Sequence, residues 1–224
     1  AEYDLGLRSY MLGIYNYMTL ALGISALVAW GTYISGVTAS LLTSPIAFVV
    51  MLAPLGFVLF MSFRFEKMSY SSLMGTFLAY SAVMGLSLST IFVAYKVGSV
   101  VQVFAITAAA FGALSLYGYT TRRSLSAIGS FLVMGLFGIV IAMLVNIFLQ
   151  SSALQFGLNV LGLLVFAGLT AWDTQRLKDE YDYVAGDKEL MGKASVMGAL
   201  TLYLDFVNMF QFLLALFGQR NNNN

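Results

Sequence analysis

The sequence predicts an all-α membrane protein of seven transmembrane helices, on three observations. The 224-residue chain is 60% hydrophobic and only 9% charged, with a mean hydropathy of +0.86. A soluble domain carries about 25% charged residues. Seven mostly apolar runs divide the chain, each near the ~20 residues that cross a bilayer as a helix. Finally, Lys and Arg are unevenly shared among the connections between the runs. A β-barrel is excluded, because the runs are too long and do not alternate.

The first span, Tyr10–Ile34, follows an acidic, polar start (Glu2, Asp4) unlike the basic start of a signal peptide. It ends at the turn-forming pair Ser35-Gly36. Thr43-Ser44-Pro45 opens the second span, Pro45–Phe63, which runs up to Arg64. The third is Leu73–Ala94; Gly98-Ser99 precedes the fourth, Val100–Tyr119. Arg122 and Arg123 separate it from the fifth, Leu125–Leu149. The sixth, Leu154–Asp173, leads into the one long connection, Thr174–Lys193, which holds most of the soluble charge. The seventh is Ala194–Phe217, and Asn221 to Asn224 read as a flexible polar tail. Residues 1–224 form a single polytopic domain in this reading.

Positive residues set the orientation. Nine of the 11 fall on one set of loops: Arg8, Arg64, Lys67, Arg122, Arg123, Arg176, Lys178, Lys188 and Lys193. Lys96 and Arg220 fall on the other. The N-terminus is therefore expected in the cytoplasm and, after an odd number of spans, the C-terminus outside. Small residues recur four apart at Gly85/Ser89, Ala108/Gly112, Ala167/Ala171 and Ala194/Gly198, as tight helix packing in lipid requires.

Several functions are excluded. A net charge of +1 gives no nucleic-acid footprint. With no Cys and no His, thiolate and imidazole metal sites are absent. No phosphate loop, nucleophile elbow or HExxH motif is present, so no catalytic centre and no resident cofactor are expected. The acidic stretch from Asp179 to Glu189 lacks calcium-loop spacing. The surroundings of its two membrane aspartates also lack the YD and GxGD patterns of an intramembrane aspartyl protease.

Those aspartates are the strongest functional signal. Asp173 and Asp205 lie in otherwise apolar runs, where an ionisable group costs roughly 2.5–3.5 kcal/mol at the bilayer centre. Each needs water, a partner or an ion. Spans six and seven form a hairpin, and the midpoint of Asp173 and Asp205 coincides with that of Gly186 and Gly192 in the connection. The two carboxyls are therefore expected to be neighbours. Counted from Pro45 and Leu154, Arg64 and Asp173 have matching depths, which makes Arg64 a candidate partner of Asp173. Asn208 or a Tyr could hydrogen-bond Asp205. Asn146, Asn159, Asn208, Gln102 and Gln211 read as interhelical hydrogen-bonding residues, and Trp30 and Trp172 as interfacial aromatics.

Three segments carry a family resemblance: Ala105-Ile106-Thr107-Ala108-Ala109-Ala110-Phe111-Gly112, Asp173-Thr174-Gln175-Arg176, and Leu202-Tyr203-Leu204-Asp205-Phe206-Val207-Asn208-Met209-Phe210. Together they resemble the Bax inhibitor 1 (transmembrane Bax inhibitor motif) family. The short connections and the Arg122-Arg123 loop are similar to its bacterial, YccA-like branch. The resemblance implies a last helix that is central and wrapped by the other six, and a pH-dependent calcium leak. It implies that Asp173 and Asp205 form a proton-sensing pair in the ion pathway, with Arg64 as its latch. It also implies a suppressor of cell death among eukaryotic relatives and a membrane-protease partner among YccA-like ones.

Physical chemistry is consistent with that role. Two carboxylates in a low-dielectric site cannot both ionise cheaply, so such a pair is a proton-binding element. Hard divalent cations prefer oxygen ligands, so Asp173 and Asp205 are also the candidate calcium ligands. The expected function is a pH-sensitive, calcium-permeable leak channel in a bacterial inner membrane. Its rival is a non-conducting regulator of a membrane protease or a cell-death or stress-response partner. The topology is directly testable. A reporter placed beyond Arg220 is expected to read outside the cytoplasm and one between Thr174 and Lys193 inside. Both on one side would remove the seventh crossing.

Overall fold

The computed structural model describes residues 1–222. Among them are nine helices: α1 (Glu2–Ile34), α2 (Val37–Leu42), α3 (Ile46–Arg64), α4 (Tyr70–Leu88), α5 (Ile91–Ala94), α6 (Val97–Thr120), α7 (Ser126–Leu149), α8 (Ser152–Val184) and α9 (Lys188–Phe217). Seven stretches are long and apolar enough to cross a membrane, α4 and α5 counting as one. The last is the most buried: 61% of its most apolar stretch is covered, against 33% or less for the others.

Two expectations are corrected. The connection after the sixth span is short, because α8 continues to Val184 and α9 begins at Lys188. Hydropathy marks where apolar sequence ends, not where a helix ends. Leu177, Tyr181 and Val184 recur at helical spacing and are buried, so the polar extension of α8 still has a packed face. Tyr181 lies against Tyr3 and Tyr10, and Tyr3 donates to Asp182 at 2.6 Å. Gly192, expected to bound the connection, lies inside α9 beside Tyr70. The second correction concerns the tail. Asn221 is held, its amide donating to the carbonyls of Phe92, Val93 and Tyr95 and its N–H to that of Ala94. Residues 223–224 lie outside the described residues.

The helices group into two packing units. The first comprises residues 1–96, 180–203 and 220–222. Here α1 presents Leu7, Tyr10, Met11, Ile14, Met18, Ala21 and Ser25 as a buried stripe at helical spacing, and packs along α4. Gly85 lets the two approach, since a Cβ there would sit 2.7 Å from the Ser25 carbonyl. The Ser25 hydroxyl bonds the Ser81 carbonyl at 2.7 Å and the Tyr203 hydroxyl at 2.6 Å. Tyr203 is fully buried and meets Tyr80 edge-on at 5.5 Å. The turn from α1 to α2 depends on Gly36, at φ +80°, a conformation that costs glycine nothing.

Pro54 lies inside α3. It has no N–H, so the Val50 carbonyl one turn earlier loses its helical donor. In lipid an unpaired carbonyl is expensive. Ser87 of α4 donates to it at 2.9 Å, turning a defect of one helix into a link between two.

The second unit comprises residues 97–179 and 204–219. Phe206 of α9 sits against Phe104 and Phe111 of α6, at 5.2 and 5.5 Å between ring centres. Gly118 of α6 lies on the backbone of Ala171, Gly129 of α7 under the Trp172 ring, and Gly162 of α8 against Phe212. Trp172, expected near an interface, is thus a packing residue between helices. Of the small-residue pairs, Ala108/Gly112 does not behave as expected: both are exposed, and nothing approaches Gly112 within 4 Å. Asn146 closes the turn into α8 through the backbone of Ser151 and the side chain of Gln155.

Two stability outcomes follow. Ser87→Ala should cost about 1 kcal/mol, the usual scale of an intramembrane hydrogen bond. The cost should shrink markedly in a Pro54→Ala background, where Val50 regains its own donor. Equal costs in both backgrounds, by unfolding in detergent, would contradict this account. Gly118→Ala should destabilise by about 1–3 kcal/mol, because backbone cannot move aside, whereas Gly112→Ala should be neutral or stabilising by up to about 1 kcal/mol.

Candidate functional site

Asp173 sits on α8 and Asp205 on α9, within the second unit. Both are buried, at 5% and 4% exposure. The carboxyl of Asp205 lies within hydrogen-bonding reach of that of Asp173. The structure therefore brings together the two residues that the sequence placed side by side. Each helix supplies its carboxylate from a well-packed turn. On α8, Thr170 and Thr174 flank Asp173; Thr174 bonds the Thr170 carbonyl and the Ser115 hydroxyl of α6, each at 2.8 Å. On α9, Phe206 fixes the position next to Asp205 by packing among the α6 aromatics.

The cation beside the pair is Arg176. Its Nη2 donates to Asp173 Oδ1 at 3.1 Å, one turn along α8. Its guanidinium also lies 5.3 Å from the centre of the Trp172 ring, a favourable cation–π distance. Arg176 is partly exposed while the Asp173 side chain is buried, so the ion pair connects a covered carboxylate to a more accessible cation. The sequence reading quoted Asp173-Thr174-Gln175-Arg176 but did not use it as an ion pair. The signal was there: opposite charges three residues apart on one helix face each other.

Arg64 ends α3 in the first unit, with an exposed side chain. Asn208 does not serve Asp205. Its Nδ2 donates to the Leu204 carbonyl of its own helix at 2.8 Å. Asn159 is likewise bonded within α8, accepting from Gln155 at 2.9 Å, and Gln102 is exposed. The interhelical role expected for these amides is therefore not what their bonds show. Asp205 Oδ2 is buried and accepts no hydrogen bond from a donor among the described residues. A covered carboxyl oxygen in that position can bind a proton, a water or a cation.

No cluster of three or more Asp, Glu, His or Cys residues that could hold a metal occurs among the described residues. The pair supplies two carboxyls, fewer than the six to eight oxygens that calcium takes.

Comparison with known proteins agrees with this architecture. A family model described as inhibitor of apoptosis-promoting Bax1 matches residues 7–222. The chain is 44% identical over 218 residues to inner membrane protein YbhL of Escherichia coli K12, covering 96% of this chain and 93% of that one. It is 42% identical over 221 residues to an uncharacterised protein of Rickettsia prowazekii, covering 98% and 93%. A Borreliella burgdorferi protein, also uncharacterised, is 40% identical over 217 residues. With a matched model spanning nearly its whole length and relatives at this identity, the chain is a multi-pass membrane protein of the Bax inhibitor 1 family.

Proposed function

We propose that the chain is a proton-regulated, calcium-permeable leak in a bacterial inner membrane, with Asp173 and Asp205 as its proton-binding element. One observation carries the reading: two buried carboxyls within hydrogen-bonding reach, one of them with an unpartnered oxygen. A buried unpaired carboxylate would be destabilising, so the pair exchanges between a proton-sharing form and a form that attracts a cation. Arg176 is the charged partner of the pair, its guanidinium bonded to Asp173 at 3.1 Å. Protonation removes negative charge and weakens that ion pair together, coupling pH to the packing of α8.

Arg64 is the candidate latch in a second conformation, in which Asp173 exchanges its partner. Calcium is the transported ion, held briefly by the carboxyl oxygens. The N-terminus is cytoplasmic and the C-terminus outside, and similarity to inner membrane protein YbhL supports the location. A YccA-like association with a membrane protease, or action on a cell-death or stress-response partner without ion flux, is the reading that replaces this one if flux is absent.

Purified protein in liposomes loaded with a calcium dye provides the test. Asp205→Asn should bring the ratio of fluxes at the two ends of a pH series close to one, with folding verified by monodispersity and melting temperature. Asp173→Asn should do the same, and the double variant should be no flatter than either single change. Arg176→Gln should shift the pH at which flux changes without flattening the profile. A well-folded Asp205→Asn protein with the wild-type pH profile would remove the pair from gating.

A further inference from the structure

A cavity of about 290 Å³ lies in the second unit, between α7, α8 and α9. Its apolar walls include Ile139, Phe166 and Phe212. Three amide side chains also line it: Asn159 from α8, and Asn208 and Gln211 from α9. Each is half-buried rather than covered. Counting from Ser152 and Phe217, Asn159 and Gln211 both lie about 10 Å in from that end of their helices, at ~1.5 Å per residue. Asn208 is one turn from Asp205.

Amides at this depth are costly unless their polar atoms are satisfied. Asn208 spends its Nδ2 on Leu204, which leaves its carbonyl oxygen facing other partners. Asn159 uses its oxygen to accept from Gln155, which leaves its Nδ2 to donate elsewhere. A cavity of this size has room for roughly ten waters at ~30 Å³ each, and its amides offer both donors and acceptors to hold them. The same volume accommodates a divalent cation with a first shell of about six to eight oxygens. Neutral amides coordinate such an ion weakly enough for it to leave, as conduction requires.

We propose that Asn159, Asn208 and Gln211 form a water-filled vestibule through which the cation passes between the Asp205 carboxyl and the membrane face at the C-terminal end of α9. This deepens the leak reading and rests on it for the conducting role. The chain has no cysteine, so a single introduced thiol reports its own surroundings. Asn208→Cys and Gln211→Cys, in membranes, should react with a small, positively charged methanethiosulfonate. Phe137→Cys, from an exposed mid-helix position on α7, should not. Unreactive thiols at both amide positions would show a dry pocket and overturn the proposal.

In calcium-dye liposomes, the double variant Asn208→Leu, Gln211→Leu should lower flux about tenfold while keeping the wild-type pH midpoint, because the carboxyl pair is intact. Asn208→Ser, which keeps a polar lining, should retain flux. Reactive thiols with undiminished flux in the double leucine variant would place a wet pocket off the pathway and also overturn the proposal. Wild-type protein without calcium flux at any pH would instead sink the leak reading and the conducting role with it. The thiol readout would then still decide whether the pocket is hydrated. If the leucine variant fails to fold, flux after thiol modification of Gln211→Cys decides the vestibule: loss of flux supports it and unchanged flux overturns it.

Discussion

Two carboxyl groups buried side by side in membrane-spanning helices leave a fold few ways to satisfy them. Water is scarce at that depth, and a second charge cannot be added cheaply. Here the solution is partial. Arg176 answers one carboxyl, the other carboxyl lies beside the first, and Asp205 Oδ2 has no hydrogen-bond donor among the described residues. The surrounding packing holds this arrangement in place: Thr174 is tied to α6, Trp172 lies over Gly129, and Phe206 is wedged between α6 rings. An apolar pair at 173 and 205 would pack more easily. Retaining charge there points to use rather than to stability.

The same economy of polar groups governs the rest of the bundle. Bilayer helices must pair their backbone internally, and several breaks in the helices are matched by a specific donor or acceptor. Ser87 covers the carbonyl that Pro54 orphans. Asn146 closes the turn at Ser151, where Gln150 adopts φ +50°. Ser69 caps α4 by accepting from the Ser72 N–H, and Glu189 accepts from the Tyr70 N–H. Ser87 and Asn146 are short polar side chains within apolar runs.

The spans were legible because length and apolarity decide them, and the aspartates because they are the acids inside those spans. Their proximity was legible from hairpin symmetry, although the connection that supplied the symmetry is far shorter than expected. What escaped was everything carried by amphipathic helix beyond the apolar run. The Glu180–Val184 turn is polar enough to read as loop, but Tyr181 and Val184 continue the buried face of α8. Arg176 was missed for the same reason: a loop residue has no fixed neighbour three positions away, whereas a helical one does. Asn208 and Asn159 were assigned partners on other helices, while their own backbone or neighbouring turn was the nearer choice. Gly112 shows the converse, since spacing alone cannot say which face of a helix meets lipid.

The hold of Asn221 on the carbonyls of Phe92, Val93 and Tyr95 has a consequence for biogenesis. The acceptors are synthesised and inserted well over a hundred residues before their donor emerges, with sequence separations of 126 to 129. Until then the end of α5 must be solvated by water or headgroups, so this corner of the protein closes only after the seventh crossing has emerged. A ribosome-bound or prematurely terminated chain would display those carbonyls uncovered. They thus mark an unfinished molecule, a distinction that membrane quality control could read.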